Sequence, residues 1–250
     1  AGRQRPLLAE VMTAPSVHGK SGLDGPELLE PVREPVRMEA ASLIADLIRK
    51  EEEKVVLIPT GPLTNIAAFL LLYPELKSRV RDIYLMGGGL AHGNWTPAAE
   101  FNILVDPEAA DLVFRSGIPI TMAGLDVTEK ALIYPEDFKR IGAADNEVAR
   151  IVAEWLEFFY LFHHNLGYPG APVHDAVAVT ALVRPDLVVS RDLHVEIETG
   201  GAYSRGATVP DFYGVRGQKP NVRCLLDIDR EAFVDLLVDA VAFYGKEEPS

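Results

Sequence analysis

Residues 55–73 read Val55-Val56-Leu57-Ile58-Pro59-Thr60-Gly61-Pro62-Leu63-Thr64-Asn65-Ile66-Ala67-Ala68-Phe69-Leu70-Leu71-Leu72-Tyr73. The first four are a continuous apolar run rich in β-branched side chains, as in a strand buried on both faces. Gly61 and Pro62 punctuate a turn, and Ile66 to Tyr73 continues as an apolar helix. The unit recurs downstream. Ile83-Tyr84-Leu85-Met86 is a second buried strand that runs into Gly87-Gly88-Gly89. Asp106-Pro107-Glu108 then opens a helix with a capping carboxylate, a proline at the first helical position and an acid in the first turn. That helix stops at Gly117, and Ile118-Pro119-Ile120-Thr121-Met122 is a third strand. Strand, helix, strand, helix, strand predicts an α/β fold: an open, mostly parallel, Rossmann-like sheet with helices on both faces. In such sheets the loops after the strands share one edge, and ligands bind there.

Outward from this block the pattern is less regular. Upstream, prolines and glycines break the first forty residues and no clear strand opens the chain. Leu43, Ile44, Leu47 and Ile48 then recur at helical spacing. Downstream, Asn146 to Asn165 reads as one long helix carrying Trp155, Phe158, Phe159 and Phe162, and His174 to Val183 as another, stopped by Arg184-Pro185. Val195 to Glu198 and Val222 to Ile228 read as strands, and Asp229-Arg230-Glu231 starts a final amphipathic helix. With no repeat, low-complexity tract or linker, residues 1–250 read as a single domain.

Composition bounds the partners. Lys+Arg 24 against Asp+Glu 37 gives a net charge of −13, which argues against a binder of phosphate backbones. The longest apolar run, Ile66 to Tyr73, is too short to span a bilayer. Cys224 is the one cysteine, so no intrachain disulfide forms and a reducing cytosol fits. A cytoplasmic protein with no nucleic-acid and no membrane partner is expected.

Three segments carry polar residues that packing does not require. Thr64 and Asn65 follow the first strand, and a helix cap is the simpler reading of both. Gly87-Gly88-Gly89 fits neither a P-loop nor a dinucleotide fingerprint and reads as a plain turn. Glu100 and Asn102 would point the same way in an extended segment. With Asn94 they offer a carboxylate and two amides suited to vicinal hydroxyls, or else a solvated loop. His174-Asp175 is open between a capping pair, an acid/base pair and a metal ligand beside a histidine. His163 and His164 sit where a helix dipole favours them. His92 and His194 read as surface residues, Cys224 as core.

Taken together, these segments resemble the nucleoside hydrolase family of the inosine–uridine-preferring type. The resemblance is carried by Val17-His18-Gly19 with Ser21-Gly22-Leu23-Asp24-Gly25, by Pro59 to Ala67, and by Leu85 to Gly89. Ala99-Glu100-Phe101-Asn102-Ile103, Asp106 to Ala110, Gly124-Leu125-Asp126-Val127-Thr128 and Val173-His174-Asp175-Ala176 complete it. Several motifs in family order and spacing make the signal specific. The resemblance implies the nucleoside hydrolase fold and calcium-dependent hydrolysis of the N-glycosidic bond of purine or pyrimidine ribonucleosides. It implies calcium bound by the Thr60 carbonyl and the Asp175 carboxylate, and ribose held by Asn94, Glu100 and Asn102 with Met86 lining the pocket. His174 would protonate the departing base, His18 would belong to a loop closing over the substrate, and His163 would stand on the base-binding helix. A homo-oligomer, dimer or tetramer, is expected on the same ground.

One element of the family pattern is not in the sequence. The Asp-x-Asp-x-Gly-x-Asp-Asp stretch, which supplies the rest of the calcium site and the base that activates water, has no counterpart here: before Glu51 the only aspartates are Asp24 and Asp46. The expectation is a chain that begins inside the family pattern, its 250 residues nearly inactive alone. The alternatives are a non-catalytic nucleoside or ribose binder using Asn94, Glu100 and Asn102, and a structural subunit that assembles with complete copies.

Overall fold

The computed structural model describes residues 1–19, 22–28, 31 and 33–245. Lys20 and Ser21 of the glycine-rich opening lie outside the described residues. The strands are β1 (Val55–Leu57), β2 (Val80–Met86), β3 (Ile120–Ala123), β4 (Leu132–Ile133), β5 (Ala171–Pro172), β6 (Val188–Ile197), β7 (Thr208–Asp211) and β8 (Val222–Ile228). The helices are α1 (Pro15–His18), α2 (Ala40–Lys50), α3 (Thr64–Leu72), α4 (Phe101–Val105), α5 (Pro107–Phe114), α6 (Leu125–Thr128), α7 (Pro135–Gly142), α8 (Glu147–Asn165), α9 (His174–Val183) and α10 (Arg230–Phe243). They fall into two compact units.

The larger unit comprises Ala1–Met12, Pro35–Thr128 and His174–Asp227. Its sheet has the order β1-β2-β3-β8-β6-β7. The first four strands are parallel, with Leu57 beside Ile83, Ile83 beside Ile120 and Ile120 beside Val222. β6 and β7 form an antiparallel pair at the end. Every residue of β3 is buried, which is what an inner parallel strand requires. Phe69 from α3 and Phe114 from α5 fill the core with Ile83, Leu85, Met122 and Cys224. α9 packs on β2 and β3. The expected mostly parallel α/β sheet is present.

The smaller unit comprises Thr13–Glu34, Glu129–Val173 and the chain from Ile228 onward. Here α7 packs on α8, and α10 on both, around Ile141, Ala149 and Val241. The ribbon β4–β5 pairs Ile133 with Ala171. Arg230, lying over the Tyr134 ring and donating to Leu132 O, pairs with the 3% exposed side chain of Asp137.

Three local expectations change. Thr64 and Asn65 do not cap α3: its N-cap is Leu63, without a side-chain bond. Thr64 Oγ1 instead donates to Asp106 Oδ2 at 2.6 Å, and Asn65 Oδ1 accepts from Arg3 N. The segment of Glu100 and Asn102 is not extended: Glu100 is the N-cap of α4 and Asn102 lies in its first turn. His194 is not a lone surface residue, since Nδ1 meets Lys219 O at 3.1 Å and Nε2 faces Glu196 at 3.5 Å. The capping role of Asp106 holds, with Oδ1 accepting from Ala109 N.

Candidate functional site

The carboxyl ends of β1, β2 and β3 are drawn together by backbone bonds between their loops. Met86 N donates to Pro59 O, Gly87 N to Ala123 O and Leu125 N to Gly88 O, at 3.0, 3.2 and 2.9 Å. The Gly87-Gly88-Gly89 turn depends on glycine: Gly88 has φ of 78°, and a Cβ there would stand 2.7 Å from Thr208 Cγ2. Thr208 Oγ1 accepts from Gly89 N and donates to Gly89 O, so the turn is tied to β7.

Glu100 is a buried acid at this edge, 3% exposed. Its Oε1 accepts from Asn102 N at 2.9 Å, and its Oε2 from Gly88 N at 2.9 Å and Ile103 N at 3.2 Å. Each carboxylate oxygen offers two acceptor positions, so these bonds leave one, on Oε1. Burial pushes its pKa up to about 7; the three N–H bonds pull the other way, and the charge of Asp175 adds to the rise.

Asn102 stands two residues on. Its Nδ2 donates to Met86 O at 3.2 Å and reaches Met86 Sδ at 3.2 Å and Thr60 O at 3.4 Å. The amide is thereby oriented, and its Oδ1 is left as an acceptor. Met86 itself is buried, 4% exposed. Asn94 is oriented in the opposite sense, since its Oδ1 accepts from Phe101 N at 3.0 Å and its NH2 remains to donate. The loop around it is held by Gly93 N to Pro97 O and Trp95 N to Ala99 O, and Trp95 packs edge-on against Phe101 with ring centroids 4.9 Å apart. Thr60, Met86, Asn94, Glu100 and Asn102 are thus linked by hydrogen bonds through the α4 N-terminus.

His174 and Asp175 begin α9. His174 Nδ1 lies 2.8 Å from Thr128 Oγ1. Asp175 is open to solvent, yet the protein around it raises its pKa to about 6 by desolvation. The Thr60 carbonyl and the Asp175 carboxylate are hard oxygens of the class calcium takes. No group of three or more histidines, cysteines or acids gathers to hold a metal among the described residues. Two oxygens fall short of six to eight, so these residues alone do not hold the ion.

His163 and His18 belong to the smaller unit. His163 is 8% exposed, with Nδ1 3.0 Å from Phe159 O and its ring against Phe159, Phe162 and Tyr168. His18 ends α1, and its side chain lies outside the described residues. Three residues of this edge escaped the sequence reading: Thr128 on His174, Thr208 on the glycine turn, and Asp126, whose Oδ2 accepts from Leu90 N at 2.7 Å. Asp126 and Thr128 stand in a motif quoted above, but only the fold reveals their partners.

Comparison with known proteins bears on this arrangement. The family described as inosine-uridine preferring nucleoside hydrolase matches residues 1–235. The pyrimidine-specific ribonucleoside hydrolase RihA of Escherichia coli (strain K12) is 49% identical over 246 residues, covering 98% of this chain and 79% of the relative. Among solved structures, a purine-preferring ribonucleoside hydrolase from Gardnerella vaginalis superposes with a TM-score of 0.89 at 29% identity, covering 98% of this chain and 79% of that one. The plant nucleoside hydrolase PpNRh1 gives a TM-score of 0.86 at 26% identity, covering 96% and 79%.

Proposed function

Because the chain belongs to the inosine-uridine preferring nucleoside hydrolase family and is a ribonucleoside hydrolase, we propose that pyrimidine ribonucleosides are its preferred substrates and that the edge built on Glu100 and Asn102 holds their ribose. The preference rests on the 49% identity to a pyrimidine-specific relative. The observation that carries the site is the linkage of Glu100, Asn102, Met86 and Thr60 at the strand ends, with one acceptor position open on Glu100 Oε1.

Cleaving an N-glycosidic bond builds positive charge on the ribose ring and negative charge on the base. In our reading the free acceptors of Glu100 and Asn102 accept hydrogen bonds from ribose hydroxyls, and the Asn94 NH2 donates to a ribose oxygen. Acceptors fixed in advance by their backbone bonds stabilise the cationic sugar without reorganising. His174 gives a proton to the departing base, which relieves the second charge. The aspartates that the resemblance expects for water activation are not in this sequence, so the steps assigned to these residues are ribose binding and leaving-group protonation. The cation we propose is calcium, with the Thr60 carbonyl and Asp175 as two of its ligands. We place His163 on the base side and His18 in a closing loop, and we expect a cytoplasmic homo-oligomer that binds neither nucleic acid nor membrane. No helix among the described residues is long and apolar enough to cross a membrane.

Ribose release from uridine, cytidine and inosine by the intact protein, with calcium and again with a chelator, tests this reading. The expected result is a higher kcat/KM for uridine and cytidine than for inosine, lost on chelation. Equal or greater inosine turnover would overturn the pyrimidine preference, and chelator-insensitive release the calcium assignment. Binding of ribose without turnover would favour the non-catalytic alternative.

A further inference from the structure

Thr128 is wholly buried, 0% exposed, at the end of α6, between the apolar side chains of that short helix and the start of α9. A hydroxyl removed from water in this way must find a partner. Among the described residues no buried side-chain nitrogen or oxygen goes unpaired, and the partner of Thr128 Oγ1 is His174 Nδ1 at 2.8 Å. The bond joins the end of α6 to the first residue of α9, so it anchors the imidazole ring at Nδ1.

We propose that Thr128 is the positioning residue of His174: by accepting the Nδ1 hydrogen it makes Nε2 the nitrogen that serves the departing base. This rests on the reading of His174 as the proton donor. A ring that delivers a proton must start as imidazolium and end neutral. As the C1′–N bond breaks, its electron pair passes to the base. The Nε2 proton moves to a basic atom of that base, and the ring is left neutral with its remaining hydrogen on Nδ1. Thr128 Oγ1 can accept that hydrogen in both states, so the ring need not turn during the step. Without the hydroxyl Nδ1 loses this acceptor, and with it the bond that assigns the remaining hydrogen of the neutral ring to Nδ1.

The test uses the intact protein with T128V, T128S and H174A, assayed on uridine and on 4-nitrophenyl riboside. The phenolate of the second substrate departs without a proton. T128V is expected to lower kcat for uridine by roughly 10- to 100-fold at nearly unchanged KM. The ratio of uridine to 4-nitrophenyl riboside kcat is expected to fall by the same factor in T128V and at least as far in H174A. T128S, which keeps the hydroxyl, is expected to restore most of the ratio. T128A is the second hydroxyl-free variant, should T128V not fold. An unchanged ratio in T128V or T128A while H174A lowers it would overturn the role of Thr128 alone. An unchanged ratio in H174A would overturn the role of His174, and the proposal with it. A fall in both substrates alike in T128V would assign Thr128 to packing and likewise overturn the proposal.

Discussion

The carboxylate of Glu100 takes the backbone N–H of Gly88 at 2.9 Å while it caps the helix that begins at Phe101. One buried side chain thereby joins the loop after β2 to the segment that carries Asn102. The geometry of the proposed sugar site is set by this acid before any ligand arrives.

Replacing Glu100 by Ala removes an acceptor from three buried or half-buried N–H groups, those of Gly88, Asn102 and Ile103. Leaving buried donors unpaired costs about 1–3 kcal/mol each before relaxation. We expect E100A to lose at least 2 kcal/mol or so of stability in urea melts and to turn over uridine roughly a hundredfold more slowly or worse. Wild-type stability in E100A would show that the loops are held by other means.

The same burial makes stability depend on pH. The folded pKa of Glu100 is about 7, against an ordinary value of 4.5. A raised carboxyl binds its proton more tightly when folded, so its favourable contribution is complete below about 4.5 and lost as pH rises through about 7. The full difference is at most about 3 kcal/mol. Asp175, raised to about 6, works in the same direction. In protein stripped of divalent cations, the urea midpoint is expected to fall between pH 5 and pH 8 by more in wild type than in E100Q. Parallel pH profiles for the two would contradict the assignment.

Trp95 is a surface aromatic with an inward task. Its ring lies edge-on against Phe101, whose N–H holds Asn94. Such a pair contributes about 1 kcal/mol beyond burial. W95A is expected to raise KM for uridine roughly three- to tenfold while kcat changes little, and W95F to stay close to wild type. A loss confined to kcat would argue against this route.

In the smaller unit, Asp137 is nearly sealed from water, accepts from Tyr134 N at 2.9 Å and pairs with Arg230. Removing one partner of a buried pair leaves the other charge uncompensated, at a cost of about 3–5 kcal/mol. R230M, which strands the 3% exposed Asp137 carboxylate, is expected to lower thermal stability by an amount of that order, and D137A by less, since the Arg230 left behind retains 20% side-chain exposure. Equal wild-type melting of both variants would contradict the argument.

The parallel strands were legible because they are short, mostly apolar runs, although β1, expected to be buried on both faces, is half-buried at one end of the sheet. β7 and the largely exposed first half of β6 carry no such run and were not read. Asp106-Pro107-Glu108 announced α5 for an equally local reason, and the observed cap confirms it. α4 was not legible. Its five residues begin on a capping acid whose side chain also reaches Gly88, twelve positions back, and no periodicity shows in one turn and a half. Thr64 has the chemistry of a cap but is claimed by Asp106 across the fold. Thr128 is silent in the sequence for the same reason: its partner lies 46 residues away, and only the packing of α6 on α9 brings the two together. The polar residues of the site were visible as types. Which of their atoms remain free was not, because that depends on backbone donors supplied by distant loops.

The most direct measurement is kcat/KM for uridine in the intact protein and in its N102A variant. Asn102 is the side chain whose Nδ2 touches both Met86 and Thr60 and whose Oδ1 is free to meet ribose. The predicted result is ribose release by the wild-type protein and a loss of roughly a hundredfold or more in N102A, about 3 kcal/mol of transition-state stabilisation. Unimpaired uridine hydrolysis by a folded N102A protein would place the ribose elsewhere and contradict the account.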